Sequence, residues 1–135
     1  MSLQWFEDHK LPADLSLVVF KRNGEEFFRH SGKWLYPLLA LQDYLLANHI
    51  EVDELLLHDR ITGRAAAALT ILIGFKTVKA DILSELAIPL FEKHGVHYYC
   101  EERVARITCQ TEHLITPSMD LAAIYAFITE RIAKN

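Results

Sequence analysis

Residues 63–73 constrain the fold more than any other part of this 135-residue chain. They carry one charged side chain, Arg64, and four consecutive alanines, Ala65 to Ala68. A helix with no polar face has to be buried, and small side chains let its backbone approach another layer closely. Directly before it stands Glu54-Leu55-Leu56-Leu57-His58, a short apolar run that reads as a buried strand, with Asp59 to Thr62 as the connecting loop. The core must therefore be built around a strand–turn–helix unit whose helix is the innermost of the domain.

The remaining elements follow from local signals. Asn23-Gly24 between two β-rich runs predicts an antiparallel hairpin with strands at 15–22 and 25–30. Leucines 35, 38, 39, 41, 45 and 46 recur at helical spacing, and Pro37 suits the first turn of that helix, which ends near Asn48. Gly74 stops the central helix. The alternating, β-branched run 76–81 predicts a strand, Ser84-Glu85 opens another helix that stops at Gly95, and His97 to Cys100 reads as the last strand. Residues 103–109 are ambiguous between a short helix and an extended piece. Thr116-Pro117-Ser118 then leads into an amphipathic helix through Ile132. The order ββαβαβαβ…α predicts an α/β fold: a mixed sheet of about five strands with right-handed crossovers and helices on both faces, a three-layer α/β/α sandwich. One domain is expected, with its core at 11–132. Residues 1–10 form an N-terminal extension that includes a short helix lying on the domain.

Composition narrows the function classes. Hydrophobic residues make up 51% and charged residues 24% of the chain, an ordinary globular balance. The net charge of −4 and the lack of any Lys/Arg cluster argue against nucleic acid as a partner. No apolar run approaches the roughly 18 residues needed to span a bilayer, and no basic-then-apolar leader is visible. Two cysteines, Cys100 and Cys109, suit a reducing compartment, so the expected location is the cytoplasm.

The start of the central helix is the leading candidate site. Its free N–H groups and positive dipole end face the carboxyl edge of the preceding strand, where ligands bind in open α/β sheets. Asp59 suits a ligand hydroxyl or ammonium, and Arg64 a carboxylate or phosphate. Thr62 and Gly63 complete this end, while Ser84, Glu85, Thr116 and Pro117 are expected to close the pocket. The plainer reading makes Thr62 and Ser84 helix caps, Gly63 a packing residue and Asp59 a partner for Arg60 or Arg64.

Asp59-Arg60-Ile61-Thr62-Gly63-Arg64-Ala65-Ala66-Ala67 resembles the Asp-x-x-x-Gly-(Lys/Arg)-Ala-Ala-Ala signature of the domain-of-unknown-function family numbered 1893. The segment with Ser84, Glu85 and Ala87 before a helix ending at Gly95, the Gly32 to Leu38 segment with its Pro37-Leu38, and the hairpin around Ser16 to Val19 resemble it too. Together they cover about residues 11–130. The resemblance implies a cytidine-deaminase-like fold. Zinc deaminases of that fold carry His-x-Glu at the start of the central helix and Pro-Cys-x-x-Cys later. This chain has Thr62-Gly63-Arg64 and Thr116-Pro117-Ser118-Met119-Asp120 there, so zinc deamination does not carry over, and no metal or cofactor is expected. Where the family usually shows a Cys-Pro-x-Glu-like segment, Thr116 stands for the Cys and Met119 or Asp120 for the Glu.

Two weaker groupings remain. His94, His97 and Cys100 have metal-like spacing, but strand alternation would send His97 and Cys100 to opposite faces. Cys109 with His113 has the residue types for thiol chemistry. The last helix, with Leu121, Ile124, Tyr125, Ile128 and Ile132 on one stripe, packs on the sheet or forms a homodimer surface. Three functions are in play: binding of a small anionic or nucleotide-like metabolite, a metal-independent enzyme with Asp59 or Glu85 as general base, and a structural or protein-interaction module.

Overall fold

The computed structural model describes residues 2–133. Five strands form one mixed sheet in the order β2-β1-β3-β4-β5. They are β1 (Leu17–Lys21), β2 (Glu26–His30), β3 (Leu55–Thr62), β4 (Thr77–Ser84) and β5 (His97–Val104). β1 runs antiparallel to both β2 and β3, whereas β3, β4 and β5 are parallel. Among the described residues six helices accompany the sheet: α1 (Gln4–Glu7), α2 (Tyr36–Ala47), α3 (Arg64–Ile73), α4 (Ile88–Lys93), α5 (Gln110–Leu114) and α6 (Leu121–Ala133).

The hairpin turns where Asn23-Gly24 predicts. Gly24 sits at φ 93°, a left-handed conformation that suits glycine, and the Asn23 side chain accepts the Glu25 N–H at 2.9 Å. Pro37 lies in the first turn of α2. Gly74 ends α3 at φ 113°, and Gly95 follows α4 at φ 69°.

Three boundaries differ from the sequence reading, all where parallel strands pair. β3 runs on through residues 59–62 because Asp59, Ile61 and Thr62 pair with Ala80, Ile82 and Leu83 of β4. β4 and β5 extend likewise, with Ser84 opposite Val104. Ser84 is thus the last residue of β4 rather than a helix cap, and α4 starts four residues later. Part of the 103–109 segment becomes the end of β5; α5 follows at 110–114.

The helices are not shared between the faces as expected. Residues of α2, α3, α4 and α6 all join Leu17, Val19, Leu55, Leu57, Val78, Ala80 and Leu83 in a single cluster. Successive parallel strands β2, β3, β4 and β5 step in one direction across the sheet. Crossovers of one hand then deliver every connecting helix to the same side. α3 lies at the centre of this layer, packed against α2, α4, α5 and α6, with Ala65 to Thr70 all buried. α6 covers α3 through Ile124 and Ile128.

The opposite face has a thin cover. Phe6 of α1, Leu11 and Leu15 pack on Val18, Phe20 and Leu56. Residues 3–15 therefore supply the third layer, and the N-terminal extension belongs to the packed molecule. Among the described residues, no helix is long and apolar enough to cross a membrane.

Candidate functional site

At the carboxyl end of β3 the sheet, the start of α2 and the segment 104–112 enclose a cleft of about 590 Å³. Asp59 lies at its floor, and Lys33, Trp34, Arg106, Ile107 and Cys109 are among its walls. Alternation along β3 sends Asp59 toward the helical face and its neighbour His58 toward the thin one. Burial in this setting pushes the Asp59 carboxyl up to about 7, although the Thr62 hydroxyl and the backbone N–H groups of Arg60 and Ile61 donate to it. The Thr62 Oγ1–Asp59 Oδ2 distance is 3.3 Å. Thr62 thus serves Asp59 and does not cap α3, whose N-cap is Gly63.

The dipole end of α3 is already satisfied from within the chain. Glu112 of α5, 3% exposed, accepts the Arg64 N–H at 2.8 Å through Oε2 and the Ser84 hydroxyl through Oε1. A carboxylate is the group this end of a helix favours. Ser84 also accepts the Leu86 N–H at 3.1 Å, so it ties α4's approach to the same carboxylate. Glycine is required at 63 for space: a Cβ there would lie 2.6 Å from Ile107 Cδ1 and 2.7 Å from Glu112 Oε2. This helix end is filled by Glu112 and Ile107.

Arg64 turns away from the Asp59 cleft. Its guanidinium donates to the Ile115 carbonyl and lines a second groove of about 600 Å³ with Glu85, Thr116, Pro117 and Asp120. The eight sequence-predicted residues are thus divided. Asp59 and Gly63 line the first cleft, Thr62 and Ser84 support it from beneath, and Arg64, Glu85, Thr116 and Pro117 line the second groove. Lys33, Trp34, Arg106 and Glu112 were not anticipated. Glu112 sits 48 positions from the amide it caps, and no local pattern marks such a pairing. Trp34 carries one signal visible only in the backbone, a φ of 56° outside the usual range for a bulky residue.

His97 and Cys100 face opposite sides of β5, as alternation requires, and among the described residues no three His, Cys, Asp or Glu side chains converge to hold a metal ion.

The fold and cleft together define an α/β domain with a carboxylate-capped central helix. The profile of the family described as "Domain of unknown function (DUF1893)" matches residues 10–132, and the chain belongs to that family. Among solved structures it is similar to a DUF1893 family protein, TM1506 of Thermotoga maritima. The TM-score is 0.77 at 21% identity, over 87% of this chain and 81% of that one. No curated protein matches the chain.

Proposed function

We propose that the Asp59 cleft binds a small anionic metabolite of about nucleotide size. The observation that carries this reading is charge at the mouth. Lys33 and Arg106 line the cleft, and neither side chain has an ion-pair or hydrogen-bond partner among the described residues. Two free cations over an apolar wall of Trp34, Ile61, Ile82 and Ile107 suit a ligand with an anionic group and a planar or apolar body. The volume falls within the usual range for small-molecule sites. The anionic group meets Lys33 and Arg106 at the rim, since the amide end of α3 is taken by Glu112.

A ligand present at a hundred times its Kd adds about 2.7 kcal/mol to stability, which should raise Tm by roughly 5–10 °C. A thermal-shift panel of nucleoside phosphates and simple carboxylates should contain such a compound, and Arg106→Ala should abolish its shift. If no compound raises Tm, or if the shift persists in Arg106→Ala, the reading fails.

The carboxyl at about 7 supports a second reading, that the cleft is an enzyme site with Asp59 as general base. A base does most near the working pH. Asp59→Asn should then remove turnover of the bound compound while leaving its Kd within a few-fold; a variant that still turns over excludes this role.

A further inference from the structure

The thin face of the sheet holds a polar chain, centred on buried His58, that the cleft does not use. Asp81 Oδ1 lies 2.7 Å from His58 Nε2, and His58 Nδ1 lies 2.7 Å from His9 Nδ1. The carboxylate fixes the proton of neutral His58 on Nε2. His58 Nδ1 is then an acceptor, and His9 must donate. A contact between two imidazole nitrogens holds one proton; a first added proton leaves one ring donating and the other accepting, but a second makes both rings cations and sets two donors face to face. His58 has no exposed surface.

This pair secures the segment 3–10. Beside it Lys79, 1% exposed, donates to the carbonyls of Glu7 and His9, the latter at 3.0 Å, and pairs with Glu101 at 2.7 Å. The charges around the imidazoles come from every packed element: Arg60 on β3, Lys79 and Asp81 on β4, Glu101 on β5, Glu26 on β2 and Lys10 on the segment itself. Arg29 pairs with Glu26, so each of these charges already has an ion-pair partner and a second imidazolium meets no unpaired carboxylate among them. The sheet does not depend on this cover alone, because the separate helical-face cluster packs its other side.

We propose that residues 3–10 form a proton-released strap: uptake of a second proton by the His9–His58 pair breaks the bond that seats it, lifts Phe6 off the sheet and leaves the sheet folded beneath. Release bares the apolar face of Val18, Phe20 and Leu56. The pH window follows from the chemistry of the pair. Burial, reinforced by Lys79, lowers His9 below the ordinary 6.5. Burial outweighs Asp81 and lowers His58 to about 4. A depressed imidazole holds the native form above the ordinary value and gives way as pH falls. The strap is therefore seated above about 6.5 and released on the way down to about 4.

Amide hydrogen exchange of the full chain between pH 7.5 and 4, corrected for intrinsic exchange, tests this. The amides of Phe6, Glu7, Asp8 and His9, bonded within the strap's own turn, should lose roughly tenfold or more of their protection below pH 6, while residues 55–62 keep theirs. Unchanged strap protection, or loss in step with β3, overturns the proposal. His9→Gln supplies a second arm. Its amide can donate to or accept from His58 Nδ1 in either protonation state, so release should move about one pH unit more acid; release at the parental pH likewise overturns it.

Discussion

His58 and Asp59 are neighbours on one strand, yet they belong to different environments. His58 faces the strap and Asp59 faces the helices, and burial acts on them with opposite sign. The imidazole is lowered to about 4 and the carboxyl raised to about 7. Both shifts express one rule, that a low-dielectric interior disfavours whichever form carries charge. On the strap face a hydrogen-bonded relay runs through His58 to His9, whereas on the helical face a lone hydroxyl and two backbone amides leave Asp59 poised near neutrality. Two faces of one strand thus hold two titrations of opposite sign, and the charge of Asp81 acts on both.

The largest effect that would break this comparison is at Phe6. It is fully buried and edge-on to Trp5, Phe20, His58 and Tyr99. Phe6→Ala should cost about 3–4 kcal/mol in urea unfolding. A loss below about 1 kcal/mol would make the thin face an ornament and not a third layer. Gly63→Ala tests the helical face. The new methyl meets Ile107 and Glu112 inside contact distance, and about 2–3 kcal/mol of stability should go, with exchange protection at the Arg64 amide falling first. A neutral outcome would mean that the segment 105–112 yields freely.

The smallest effect separates the two titrations. An acid that keeps its proton to about 7 in the folded chain but loses it at 3.8 when unfolded costs stability as pH rises across that span. A base lowered from 6.5 to about 4 does the reverse, so stability gains with pH there. The two oppose each other between pH 4 and 6.5. Asp59→Asn removes the falling contribution, so the stability of the variant minus that of the parent should climb by about 2 kcal/mol from pH 4.5 to 6. A flat difference would show that Asp59 titrates as it does in water.

The hairpin, α3 and the stops at Gly74 and Gly95 were legible because each rests on neighbours in sequence: an Asn-Gly turn, an unbroken apolar helix, a residue tolerant of positive φ. The extra length of β3 to β5 was not, since a parallel ladder is set by partners some twenty residues away. The placement of helices on one face was open to deduction from strand order, but only once that order was known. The first cleft was half legible. Asp59 and Gly63 lie on the local signature, while Glu112 takes the amide that Arg64 was expected to leave for an anion. The His9–His58–Asp81 chain was hidden because its members are scattered over 73 positions.

The pair Lys10–Glu101 spans 91 positions and Lys79 reaches back to Glu7 across 72. The strap is thus the first part of the described chain to be synthesised and among the last able to dock. Its seat is incomplete until β5 has left the ribosome, and closing so long a loop comes after the local hairpin and the helices have formed. During translation the apolar thin face stays open, with Phe6 and Trp5 free in solution, and a nascent chain of this family would be most exposed to chaperones and to its own copies in that interval.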